Sequence, residues 1–254
     1  ESRDDLALYV QKLSPQARTE SLSPIQASQR SMMNCLSKVD PVHYARSRNF
    51  LDGAVSHLSP FIAHGMVGVS RVRDMVLQRF SVESSEKFVQ QLAWRDFWQR
   101  LSMQHPEWLW HNIEPYKTGW SEQDYVESMP NDILEAATPV TCINQMIKEL
   151  YETGWIHNHL RLYLASYVVH WRRIRWQTGA EWFMSHLLDG CLPSNNFSWQ
   201  WVASTFSHKP YIFNLENVKK YSGGALDTCP EHNRDIDDSY EALGERLFPY
   251  AREV

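Results

Sequence analysis

The chain of 254 residues carries a net charge of −5, with 43% hydrophobic and 22% charged residues. These figures exclude a disordered chain and a strongly basic nucleic-acid coat, while leaving room for a sizeable core and a local basic groove. No apolar run approaches the roughly 18 residues of a membrane span, so no membrane contact is expected. The opening ESRDDLALYV lacks an apolar signal region. Cys35, Cys142, Cys191 and Cys229 form no CxxC pair, so a reducing cytoplasm is the expected compartment and a disulfide framework or zinc ribbon is not expected.

In chain order, residues 1–30 are rich in Ser, Gln and Arg and read as an arm or short helix. A main domain is expected over 31–222. Its Val55–Pro60 stretch places Ser56 and Ser59 just before an apolar run. Those hydroxyls and a helix start suit a phosphate, or the serines serve simply as caps. From Ser84 to Gln104 a helix is expected, with Phe88, Leu92, Ala93, Phe97 and Leu101 as its core stripe. Gln91, Trp94, Arg95 and Trp98 share a neighbouring face at i, i+3, i+4, i+7.

The next expected helix, His157–Arg173, repeats this spacing with Asn158, Arg161, Leu162 and Ala165. His157 and His159, two apart, would diverge on a helix, so no metal site is expected there. A third helix is expected from Ala180 to Leu188, stopped at Asp189-Gly190. Arg161 and Asp189 lie among apolar residues, where an unpaired charge is costly; they read as a structural ion pair or as a pair beside a polar heterocycle. Residues 223–254, opening on Gly-Gly with mixed charge, read as a tail.

Gly is scarce (10) and no βαβ rhythm appears, so the fold reads as all-α. With 11 Trp, 11 Tyr and 10 Phe, the chain calls for a large helical core, a planar ligand, or both. No GxGxxG or GxxxxGK[ST] loop supports a Rossmann or Walker site.

Four segments occur in one order: QLAWRDFW at 91–98, TGWIHNHLR at 153–161, EWFMSHLLDG at 181–190 and NNFSWQW at 195–201. Together they resemble the FAD-binding helical domain of the cryptochrome/photolyase family, from about Tyr44 to Asn214. The resemblance implies a multi-helix domain that binds FAD in a U shape and uses blue light for electron transfer. It places Tyr44, Ser56, Leu58, Ser59, Arg95, Asn158, Arg161, Asp189, Cys191 and Asn195 against the cofactor. Ser56 and Ser59 match the phosphate-holding segment, Arg95 lies near the pyrophosphate, and Asn195 faces flavin N5. Trp199, Trp176 and Trp120 match an electron relay. Gln91, Trp94, Asn158, His159, Leu162 and Trp201 match the substrate pocket, with Trp94 and Trp201 flanking a flipped-out pyrimidine dimer.

Departures from the family pattern shape the expectation. The family's N-terminal α/β antenna domain has no counterpart in the roughly 40 residues before the match, so no antenna chromophore is expected within this chain. Gln91 stands where dimer-repair enzymes carry Glu, Leu162 replaces Met, and His159 replaces Arg. Enzymes acting on the six-four photoproduct can have Gln, but they rely on His at the places of Asn158 and Leu162. After Trp201, ASTFSHKPYIFN departs from the usual loop. Cys191 replaces an Asp that holds the flavin's pyrimidine edge. The expected function is light-driven, FAD-dependent repair of pyrimidine dimers in DNA, with a preference for single-stranded or unpaired damage because the net charge is −5. The alternatives are a cryptochrome-type blue-light photoreceptor and a non-catalytic flavin-containing nucleic-acid-binding module.

Overall fold

A computed structural model describes residues 2–13 and 23–251. Residues 14–22 of the expected arm, and Glu1 and 252–254 at the ends, lie outside the described residues. The elements are helical: α1 Arg3–Leu13, α2 Gln29–Ser37, α3 Pro41–Ser47, α4 Ser59–Ala63, α5 Val69–Leu77, α6 Val82–Gln104 and α7 Asn131–Leu134. Then follow α8 Thr141–Thr153, α9 Asn158–Ser166, α10 Trp176–His186, α11 Leu192–Ala203, α12 Leu215–Ser222 and α13 Tyr240–Leu247. Among the described residues the only extended pairing is an isolated bridge between Val126 and Ile174. The all-α expectation holds.

Local chemistry explains the helix starts. Asp40 caps α3 by accepting from the amides of Val42 and His43, with Pro41 at the first helical position. Ser81 caps α6 through Ser84 N–H, and Asn214 caps α12 through Asn217 N–H. The apolar stripe of α8, Cys142, Ile143, Met146, Ile147 and Leu150, is wholly buried. That helix ends at Gly154 with φ 68°, where a Cβ would stand 2.7 Å from the Leu188 side chain.

Two apolar clusters result. The larger joins α8, α9, α10 and α11 around Tyr163, Trp176, Phe183 and Trp199, and includes Leu226 and Ile236 from beyond α12. The smaller gathers Leu36, Leu58, Phe61, Val72, Val76 and Phe88 from α2, the turn into α4, and α4 to α6. A cleft opens between them.

Three expected elements differ in detail. In α6 only Ser85 and Phe88 are buried, whereas Ala93 is exposed and Phe97 is 45% exposed. At about 1.5 Å per residue α6 outruns the small core it starts on, and its second half turns a different face, through Trp98, onto Phe197. His157 is the N-cap of α9, its Nδ1 accepting from His159 N–H, and α9 continues through a π-helical turn, Tyr167–Trp171. Helix α10 starts four residues before Ala180 and ends at His186, ahead of Gly190. Leu187 is extended (ψ 122°) and buries its side chain, so the chain leaves the helix early to carry Asp189 inward.

Candidate functional site

The cleft draws its walls from α4, α6, α9, α10 and α11. One face of α9 supplies Asn158, Arg161, Leu162 and Ala165, the set that helical spacing groups together. Ser59 comes from α4 and Arg95 from α6; Asp189, Cys191, Asn195 and Trp199 come from the turn after α10 and from α11. These sequence-singled residues are thus brought together. Tyr44, Ser56, Leu58, Gln91, Trp94, His159, Trp201, Trp176 and Trp120 stand outside the walls.

Charge is concentrated at one buried point. Arg161 Nη2 donates to both Asp189 oxygens at 2.8 and 3.0 Å, and its Nε donates to Ile156 C=O at 3.0 Å. Asp189 is only 2% exposed, and the guanidinium is the charged partner that such a buried carboxylate requires. The second nitrogen, Nη1, remains for a ligand. Arg95 lines the same cleft half-buried and makes no ion pair among the described residues. An unpaired guanidinium at a cleft wall is a ready anion partner.

Asn195 is held by donation from its amide nitrogen to Ala180 C=O at 3.1 Å and to Asn196 Oδ1 at 2.9 Å. Both donors are used, which leaves its carbonyl oxygen to accept a proton-bearing group. Cys191 heads α11 and receives only a long contact, 3.8 Å, from Gln99 Nε2. A thiol there is a weak partner for any polar edge.

The small-polar turn before α4 is not a simple cap. Leu58 holds the N-cap position with no side-chain bond, Ser56 accepts from Leu58 N–H at 3.4 Å, and Ser59 Oγ accepts from Trp155 Nε1 at 3.0 Å. Leu58 itself is buried in the smaller core, and Tyr44 meets Phe88 edge-on at 5.2 Å. His159 donates from Nδ1–H to Asn49 C=O (2.7 Å) and stacks on Tyr221, away from the cleft. His157 is buried, and desolvation pushes its pKa down to about 4.

The tryptophans divide sharply. Trp199 lies on the cleft wall, 2% exposed, with its ring 2.3 Å from where a Cβ of Gly179 would stand. Gly179 is therefore the gap that lets Trp199 reach α10, one turn from the fully buried Trp176. Trp176 donates from Nε1 to Asn112 Oδ1 at 2.6 Å. Trp94 and Trp201 are 46% and 42% exposed, on α6 and α11, which pack against each other. Trp94 stacks on Trp98 at 5.3 Å, and Gln91 is exposed on the same helix.

Residues that the motifs did not single out also build the cleft: Phe183, Leu187, Ser194, Ser198 and Val202. Ser194 and Ser198, four apart on α11, share one face of that helix. The hydroxyl of Ser194 and the indole N–H of Trp199 are buried with no protein partner. Such orphans on a cleft wall fit a polar, planar ligand.

The family described as the FAD binding domain of DNA photolyase matches residues 88–224. The chain belongs to the photolyase FAD-binding family. FAD is the cofactor of this domain, and the donor set suits it: an unpaired Arg95, the Arg161–Asp189 pair, the Asn195 carbonyl and the orphaned Ser194 hydroxyl. The deoxyribodipyrimidine photo-lyase of Synechococcus sp. is 30% identical over 227 residues, which is 81% of this chain and 46% of that protein. Among solved structures, an archaeal photolyase from Sulfolobus tokodaii with two FAD molecules superposes with TM-score 0.71 at 21% identity, over 91% of this chain and 57% of that one. The cryptochrome of Synechocystis sp. PCC6803 gives 0.69 at 20% identity, over 90% and 52%. Those two likenesses speak for the fold alone. The chain thus spans about half the length of the relatives it matches. No helix among the described residues is long and apolar enough to cross a membrane.

Proposed function

We propose that this chain repairs pyrimidine dimers in DNA with light, acting best on single-stranded or locally unpaired damage. The observation that carries the reading is the exposure of Trp94 and Trp201 on two packed helices beside the cleft. Large indoles left open to water are matched by flat partners, and each base stacked on one recovers on the order of 1–3 kcal/mol. That return offsets the few kcal/mol needed to extrude damaged bases, a cost smallest where bases are already unpaired. A net charge of −5 gives little general grip on duplex phosphates, which favours the same substrate.

When bound, FAD absorbs the light and exchanges one electron with the dimer. The chain supplies placement and electrostatics. Arg161, oriented by Asp189, and the Asn195 carbonyl hold polar atoms of the ring system. Arg95 and Ser59 serve the phosphates. Cys191 leaves one edge weakly held. Trp94, Trp201, Asn158 and Leu162 receive the lesion, while Gln91 and His159 contribute outside the cleft. Trp199 and Trp176 form the inner part of an electron relay, with Trp120 as the outer member that the resemblance names.

The test is repair of a thymine dimer in single- and double-stranded oligonucleotides under blue light, with fully reduced protein. Dimer loss on the single strand supports the reading; no loss on either strand overturns it. Light-driven reduction without repair would move the assignment to a photoreceptor.

A further inference from the structure

The geometry points to Trp110, in place of Trp120, as the residue through which the relay reaches solvent. The inference rests on the light-driven electron transfer proposed above and concerns only its outer end. Trp110 stacks on Trp176 with ring centroids 6.4 Å apart and planes inclined by 7°. Electronic coupling between aromatic rings falls steeply with separation, so a parallel, adjacent ring is the favoured next donor. Trp110 is half-buried, so its indole proton can pass to water once the ring is oxidised.

This contact is built rather than incidental. The loop carrying Trp110 is tied to α10 and α11 by Gln177 Nε2 on Trp110 C=O (3.2 Å), Asn196 Nδ2 on Leu109 C=O (2.7 Å) and Gln200 Nε2 on Trp108 C=O (2.6 Å). Asn112 from the same loop accepts from Trp176. Asn196 and Gln200 are fully buried, and buried amides of this kind hold a loop in one position. Every tie runs to one of the two helices that present Trp176 and Trp199.

Trp120 is placed against the role. The Arg173 guanidinium lies 4.4 Å over its ring. A cation there attracts the neutral indole but repels a positive hole. Its N–H donates to the Leu247 carbonyl at 2.8 Å, an acceptor that cannot keep a proton. Its ring neighbour is Tyr250, at 4.8 Å, on the side of the C-terminal segment.

One electron passes from Trp110 to Trp176, from Trp176 to Trp199 and from Trp199 to the light-excited FAD, which is the oxidant. The oxidised Trp110 releases its N–H proton to water. A small thiol in solution then returns one hydrogen atom to the ring, and two such thiols end as one disulfide.

The experiment compares Trp110→Phe and Trp120→Phe in the full chain. In flavin-free protein, the near-ultraviolet circular dichroism should lose the contribution of the Trp110–Trp176 stack in Trp110→Phe, leaving that of Trp94 on Trp98, and should keep both in Trp120→Phe. With FAD bound and thiol present, light-driven reduction should be lost in Trp110→Phe and retained in Trp120→Phe. In the unmutated chain, illumination in air without thiol should leave oxygenated indole, mapped by peptide mass spectrometry, at Trp110. Parental photoreduction in Trp110→Phe, equal loss in both variants, or oxidation confined to Trp120 overturns the inference. Chemically reduced protein separates the two ideas: if the parent fails to repair, the repair reading falls, while the comparison of photoreduction still decides the relay.

Discussion

On the floor of the cleft, Asp189 is 2% exposed and takes two bonds from Arg161, and Asn195 spends both amide donors on the protein. On the outer faces of α6 and α11, Trp94 and Trp201 are nearly half exposed and touch rings rather than hydrogen-bonding partners. The floor is pre-organised because buried polar groups must be satisfied before any ligand arrives. The outer face bears no such demand, since an indole stacks on whatever plane comes to it. The polar floor is thus tied to the stability of the fold, and the exposed indoles are nearly independent of it.

Each prediction probes that division. The largest effect should come from Asp189→Ala, which strands the Arg161 guanidinium; removing one partner of a buried pair costs about 3–5 kcal/mol. Urea unfolding of the flavin-free protein measures it, and a change below about 1 kcal/mol, the range of an exposed pair, would show that the floor is not pre-organised.

Acid should find the same weakness. His170 is 3% exposed with Nδ1 unpaired, and burial pushes its pKa down to about 4 from 6.5. Between those values the unfolded chain binds the extra proton, so this stability is present above pH 6.5 and is lost as pH falls toward 4. The loss amounts to roughly 3 kcal/mol. His157 shifts in the same direction, for the same cause. Midpoints of urea unfolding that stay level from pH 7 to about 4.5 would contradict this.

Gly179→Ala drives a methyl into the Trp199 ring and should cost about 1–3 kcal/mol while also slowing photoreduction. Stability and photoreduction that both match the parent would mean the ring has room to move. On the outer face, Trp94→Ala should leave stability within about 0.5 kcal/mol yet weaken binding of a dimer-bearing single strand about tenfold at fixed salt. Stability loss comparable to Asp189→Ala would erase the contrast between the two regions. The smallest effect belongs to Cys191→Asp, expected to tighten FAD about threefold by adding an acceptor for the flavin's pyrimidine edge. Unchanged affinity in a flavin titration would show that backbone groups already hold that edge.

How far the sequence could be read follows from the same physics. The α9 face of Asn158, Arg161, Leu162 and Ala165 was legible because helical period alone puts i, i+3, i+4 and i+7 on one side, and all four line the cleft. The α6 stripe was less legible. Its period is regular, but the core beneath it ends after Phe88 and Leu92, and no local rule reports where a core stops. The end of α10 was misplaced because Gly190 signals a helix stop, while the real stop serves the burial of Leu187 and Asp189.

The sequence by itself determined the all-α class, the residues of the Arg161–Asp189 pair and the ordered motifs that carry the FAD-binding resemblance. Side-chain periodicity and the cost of burying charge are local, and they act wherever the chain goes. Only the tertiary structure decided which tryptophans meet. Trp110 and Trp176 are far apart in sequence, and their stack depends on buried amides in α11, on Asn112, and on the missing Cβ at Gly179 that lets Trp199 approach the same helix. Contacts of that kind exist only after loops have closed, and no spacing along the chain encodes them.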